Sequence, residues 1–167
     1  GYFLGCATNL MFPHVARSTV AVLSLLGCEV ITPRELKCCG LPQEENGQMD
    51  VAESLARSNF AAFQRLGSKA IVTDCASCFA ALKDSSAFKD IEIMDLFQLL
   101  NELLPGHNLK KIDQAITYHD PCHLAKAQGI TAAPRELLTR ICPGFREMAG
   151  ADSCCGGGGS FVFYHYN

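Results

Sequence analysis

The cysteines of this chain repeat. Cys6, Cys38, Cys39 and Gly40 return as Cys122, Cys154, Cys155 and Gly156, each displaced by 116 residues, and Tyr2 and Tyr118 keep the same offset. Matches without slippage, including a Cys-Cys-Gly triplet used twice, point to a duplicated unit. The first copy adds Cys75 and Cys78, a Cys-x-x-Cys whose counterparts would fall past Asn167. The expectation is a first copy with a complete cysteine motif over residues 1–112. The first part of a second copy, without its Cys-x-x-Cys, follows over residues 113–167, in a segment excised from a longer protein. A secreted disulfide scaffold can carry ten cysteines, but such scaffolds are short and loop-rich. Here 49% of the residues are hydrophobic, enough for a core without staples. Gly1 to Cys6 carries neither a basic leader nor a cleavage pattern, so a cytoplasmic setting is expected, where cysteines bind metal or do redox work.

Short apolar runs alternate with helical stripes along the chain. Phe3-Leu4, Glu29–Ile31, Ala70–Thr73 and Ala115–Tyr118 read as strands. A helix is expected on Val15, Thr19, Val22, Leu23 and Leu26, ending at Gly27. A second carries Ala52, Leu55, Ala56, Phe63 and Leu66, starts near Met49 and closes at Gly67. A third starts at Asp95 with Gln98 three residues on, carries Leu96, Leu99, Leu100 and Leu103, and stops at Pro105-Gly106. A fourth has Pro134 in its first turn and ends before Pro143-Gly144. The apolar residues of all four read as core. Alternating strands and helices imply an α/β fold with a Rossmann-like parallel sheet and flanking helices, duplicated in tandem and truncated in the second copy. A net charge of −3 with no long basic run argues against a nucleic-acid partner. No apolar stretch reaches the ~20 residues that span a bilayer.

In an open parallel sheet, ligands gather where strands end and loops diverge. Cys6 follows the first expected strand, Cys75 and Cys78 follow the third, and Cys38-Cys39 sits in a strand-to-helix connection. These five thiols are expected at one sheet edge. A structural zinc takes four ligands and leaves one over. Adjacent cysteines tend to point apart, which suits bonds to different metal atoms, and Gly40 gives the backbone room to turn. A polynuclear iron–sulfur cluster answers all three demands. The Cys-x-x-Cys alone would also fit zinc or thioredoxin-like chemistry.

The pattern Cys, 31 residues, Cys-Cys-Gly, 34 residues, Cys-x-x-Cys resembles the cysteine-rich CCG domain. That domain occurs in heterodisulfide reductase, in the iron–sulfur subunits of glycolate, lactate and anaerobic glycerol-3-phosphate dehydrogenases, and in a class of succinate and thiol:fumarate reductases. Cys38-Cys39-Gly40-Leu41-Pro42 and His119-Asp120-Pro121-Cys122-His123-Leu124 look like its signatures. The resemblance implies a pseudo-twofold pair of domains. By likeness to the heterodisulfide reductase branch, Cys6, Cys38, Cys39, Cys75 and Cys78 would hold a noncubane [4Fe-4S] cluster. Cys122, Cys154 and Cys155 would belong to a second cluster, incomplete here. Zinc is the alternative metal, since some sites of the family bind it, and a purified fragment could also be metal-free. The implied function is electron transfer in a 2-hydroxy acid or related dehydrogenase complex, with heterodisulfide reduction as runner-up. A flavoprotein or a ferredoxin-like subunit or domain is the implied partner, and peripheral membrane association of the parent complex stays open. Two rival readings are a zinc-stabilised interaction module and a thiol switch on Cys75 and Cys78, which leaves Cys6, Cys38 and Cys39 unexplained.

The remaining polar signals carry plainer readings. Cys28 and Cys142 lie in apolar segments without partner spacing and read as buried structural cysteines. His119 and His123 flank Cys122; they could ligate a metal or relay a proton, or hydrogen-bond a loop or cap a helix. His14, His107 and His165 carry no functional signal. Gly156–Gly159 lack the Lys and Ser/Thr of a phosphate loop and are expected to wrap the second site. Asp74, Asp120 and Asp152 read as turn caps.

Overall fold

The computed structural model describes residues 1–158; Gly159 and His165 lie outside the described residues. In chain order the elements are α1 (Cys6–Leu10), α2 (Pro13–Leu25), α3 (Leu41–Glu45), α4 (Met49–Arg65), β1 (Ala70–Thr73), α5 (Ala76–Asp84), a 3₁₀ turn (Ser86–Phe88), β2 (Glu92–Asp95), α6 (Leu96–Leu103), α7 (Cys122–Ala125) and α8 (Ala132–Ile141). The result is a mixed helix-and-strand fold around a small parallel sheet. β1 pairs with β2 in parallel, from Ala70 opposite Glu92 to Thr73 opposite Asp95. Parallel neighbours cannot be joined by a tight hairpin, and α5 with the 3₁₀ turn makes the crossover.

The four expected helices all form. Pro13 occupies the first turn of α2, where its missing N–H costs nothing. Asp95 caps α6 by accepting from the Phe97 and Gln98 amides at 2.9 and 3.3 Å.

Strands depart further from expectation. Only Ala70–Thr73 of the four expected strands is a strand. Residues 1–3 run beside it through Phe3 N–H to Val72 O at 2.8 Å and Val72 N–H to Gly1 O at 2.9 Å, but they form a single bridge because α1 begins at Cys6. Glu29–Ile31 belongs to no strand; among the described residues Tyr2 N–H bonds Ile31 O at 2.8 Å, and Pro33 follows too soon for a ladder. Ala115–Tyr118 makes one bridge, Ile116 to Phe145. Conversely, Glu92–Asp95 is a strand that the charged ends of Glu-Ile-Met-Asp conceal.

Pleating sends alternate residues to opposite faces. Phe3 and Ile71 enter a core with Ala56 and Phe63 of α4 and Leu82 of α5. Tyr2 and Val72 enter another with Leu23 of α2, Leu100 of α6 and Leu137 of α8. Helices thus cover both faces of the sheet. Three residues expected in the core are not there: Val15 and Val22 are each 38% exposed and Leu66 is 46% exposed. α2 buries only Thr19 and Leu23 fully, with Ala16 and Val20 packed beside them, so its docking face is turned away from Val15 and Val22, and Leu66 lies past the end of α4.

Candidate metal centre

The sheet and its flanking helices bring the five first-copy cysteines to one edge. β1 ends at Thr73, so Asp74 and Cys75 lie at its carboxyl end, and Cys78 sits in the first turn of α5. Cys6 opens α1, after residues 1–3 have run along β1. Cys38 and Cys39 arrive on the loop that turns into α3 at Gly40, whose φ is +99°. A Cβ there would lie 3.1 Å from the Ala52 carbonyl oxygen, so only glycine makes this turn.

Two side chains, one buried and one half-buried, fasten these loops, and neither stands out in the sequence. Asn59 on α4 has no exposure. Its Oδ1 accepts from the Lys37 amide at 2.8 Å, and its Nδ2 donates to the Cys38 carbonyl at 3.0 Å. Asp74, expected to cap a turn, instead accepts three hydroxyls: Tyr2 at 2.7 Å, Thr19 at 3.1 Å and Thr8 at 3.3 Å. It ties α1 and α2 to the residue preceding Cys75.

The five thiols lie near one another in the order Cys6, Cys38, Cys39, Cys78, Cys75, close enough to act on one another's ionisation, and the Cys38 thiol also donates to Gln43 Oε1 at 3.8 Å. Cys78, 3% exposed, lies beside both the Cys39 and the Cys75 thiols. Interaction with both sulfurs, reinforced by burial, pushes the Cys78 thiol well above its ordinary value. The acceptors move the other way. Cys75 falls to about 6, first through the Cys78 hydrogen bond and against burial, with the Cys78 and Ser77 amides adding support. Cys39 falls to about 7 for the same leading reason. Cys38 rises to about 11, chiefly by burial. Metal-free protein should therefore show Cys75 alkylation by iodoacetamide rising with a midpoint near pH 6, because the thiolate is the nucleophile. Peptide mass spectrometry across pH 5–9 reads this, and a midpoint at the ordinary thiol value of 9.0 would refute the influence of Cys78 on Cys75.

These residues suit an iron–sulfur group. The donors are soft sulfurs, and five are present rather than the four of a zinc tetrahedron. At Gly5 a Cβ would stand 3.0 Å from the Cys78 sulfur, so the glycine leaves space open beside the thiols. Among the described residues no group of Cys, His, Asp or Glu is drawn in to single-ion chelating geometry.

The second-copy cysteines are arranged more loosely. Cys122 opens α7, while Cys154 and Cys155 are exposed. Their loops approach through Asp120 N–H to Ala151 O at 2.8 Å and a 2.8 Å contact between His119 Nε2 and Ser153 O. No hydrogen bond joins the three thiols among the described residues. His119 thus holds a loop. Asp120 is not a turn cap either: Arg135 grips both its oxygens, at 2.7 and 2.8 Å, and lies over the Tyr118 ring. Cys142 is buried as expected, donating to Gln114 O at 3.0 Å, whereas Cys28 is only half-buried.

A family model described as a cysteine-rich domain, CCG, matches residues 1–83 and 116–166. An iron–sulfur protein of Methanococcus maripaludis is 36% identical over 159 residues, covering 95% of this chain and 32% of its own length. One subunit of the dihydromethanophenazine:CoB–CoM heterodisulfide reductase of Methanosarcina barkeri is 37% identical over 175 residues, 95% of this chain and 42% of that one. Lactate utilization protein A of Exiguobacterium sp. is 30% identical over 175 residues, 95% of this chain and 71% of that one. The chain spans about a third of the length of the first curated relatives it matches. Among the described residues no helix is long and apolar enough to cross a membrane. The thiol series at the end of β1, the left-handed turn of the Cys-Cys-Gly triplet and the match over most of the sequence agree: this chain belongs to the cysteine-rich CCG domain family.

Proposed function

We propose that the chain is an iron–sulfur electron-transfer domain of an oxidoreductase, with Cys6, Cys38, Cys39, Cys75 and Cys78 as the ligands of a [4Fe-4S] cluster. The observation that carries this reading is the series of five neighbouring thiols, two of them in the core. When bound, such a group stores and passes single electrons. The chain's own part is to present the sulfurs from three loops, fixed by Asn59, Asp74 and Gly40, and to bury them so that hydration does not set their potential.

Residues 113–167 are the first part of a second copy, and the sheet is the Rossmann-like one expected of each copy. Matched positions support this. Cys6 and Cys122 both open helices, and Gly40 and Gly156 both turn at positive φ, +99° and +72°. Tyr2 donates to Asp74, while the matched Tyr118 hydroxyl is buried without a partner among the described residues. Cys122, Cys154 and Cys155 would serve the second cluster, brought nearer by the His119 and Asp120 contacts.

The parent complex is a cytoplasmic 2-hydroxy acid or related dehydrogenase, drawing electrons from a flavoprotein or ferredoxin-like subunit. The lactate-utilization relative supports it, being the one of the three reported that this chain spans most fully. The heterodisulfide reductase relative, at 37% identity, favours disulfide reduction as a second reading. Anaerobic purification with metal and sulfide analysis tests the proposal. About four irons and four sulfides per chain are expected for the first site. Stoichiometric zinc without iron after anaerobic reconstitution would instead establish a structural module.

A further inference from the structure

Ser77 lies between Cys75 and Cys78, and its Oγ sits 2.8 Å from Nδ1 of His123. On the other side of the ring, Nε2 stands 3.6 Å from Oε1 of Glu45. Three cysteine-bearing segments meet at this imidazole. Glu45 ends α3, which follows Cys38-Cys39-Gly40; Ser77 is in α5; His123 follows Cys122 in α7. Sequence alone leaves the role of His123 open, and electron transfer as proposed above does not use it.

The carboxylate favours the ring proton on Nε2, which leaves the Nδ1 lone pair to accept from Ser77. A serine hydroxyl has one proton to give. Given to His123, it is withheld from the sulfurs that flank Ser77 in the chain. Hydrogen bonds donated to ligand sulfur stabilise the more negative, reduced state and raise the reduction potential.

We infer that His123 is a positioning residue that holds the Ser77 hydroxyl proton away from Cys75 and Cys78 and so keeps the first site's reduction potential low. A residue of the second copy thereby tunes the site of the first. This deepens the iron–sulfur reading and rests on it.

The test is an EPR-monitored redox titration of the intact, anaerobically purified protein and its variants. His123→Phe keeps the bulk of the ring but accepts no hydrogen bond, so the freed Ser77 hydroxyl turns to sulfur and the midpoint potential rises. His123→Asn offers an amide oxygen in place of Nδ1 and returns the potential to the wild-type value. Ser77→Ala alone leaves the potential near wild type, and Ser77→Ala with His123→Phe matches Ser77→Ala. An unchanged potential in His123→Phe, or a rise that persists without Ser77, overturns the inference while the cluster stands. Should His123→Phe lose its iron, His123→Leu, which likewise accepts no hydrogen bond, is titrated in its place: a raised potential that Ser77→Ala abolishes supports the inference, and an unchanged one overturns it. Absence of iron and sulfide from the wild-type protein removes the iron–sulfur reading itself, and this inference with it.

Discussion

Replacing Cys78 with alanine will leave the first site without iron. Cys78 is the junction of the thiol series, lying beside Cys39 on one side and Cys75 on the other. Alanine removes one sulfur and disconnects the remaining four into two groups. Iron and sulfide should fall from about four each per chain to background, with loss of the visible absorbance. The same variant carries an internal check in its metal-free form. The hydrogen bond from Cys78 is the leading cause of the lowered values at Cys39 and Cys75, and burial opposes it at both. Without it both thiols move up, and alkylation of Cys75 at pH 7 slows several-fold. Far-UV circular dichroism should match wild type, because the change removes a single buried atom. Full retention of iron in this variant would mean that Cys78 is a core cysteine and that the metal is held elsewhere.

The second large effect is expected at Asn59, which touches no thiol. Asn59→Leu keeps the side-chain volume but deprives the Lys37 amide and the Cys38 carbonyl of their partners. An unsatisfied buried polar group costs roughly 1–3 kcal/mol, so the pair should cost about 3 kcal/mol. For a domain of this size that corresponds to a fall of roughly 10 °C in the melting temperature. Thermal unfolding of the metal-free protein reads it directly. Cluster content should fall too, since the loop carrying Cys38 and Cys39 would no longer be pinned to α4. An unchanged melting temperature would show that water replaces both bonds at no cost.

The contrast between Cys78 and Asn59 marks what the sequence could convey. Cysteine has few cheap roles, so six of the ten standing in pairs 116 residues apart, with a Cys-x-x-Cys beside them, mark a candidate site by residue type alone, and the structure brings the five first-copy thiols to the end of β1. Helices were legible for a similar reason: a 3.6-residue stripe, a proline in the first turn or a capping aspartate such as Asp95 is a local signal, settled within one or two turns. Strands were not. Glu29–Ile31 and Ala115–Tyr118 have the composition of strands, but ladder formation depends on a distant partner and on how soon Pro33 or the next loop interrupts. Glu92–Asp95 pairs because β1 lies beside it.

Tertiary structure alone decided which polar residues matter around the thiols. Asp74, Asn59 and Ser77 are ordinary residues in sequence. They gain their roles from partners 72, 22 and 46 positions away, at Tyr2, Lys37 and His123. The nearness of Cys39 to Cys78 is likewise invisible in a Cys-x-x-Cys, because Cys39 joins the same core only when α3, α4 and α5 pack together. Residue type and spacing determined which atoms could bind metal. Long-range packing decided which sulfurs lie beside one another, which loops are held, and which imidazole a single serine hydroxyl meets. Those properties depend on through-space contact and desolvation, which no local stretch of sequence encodes.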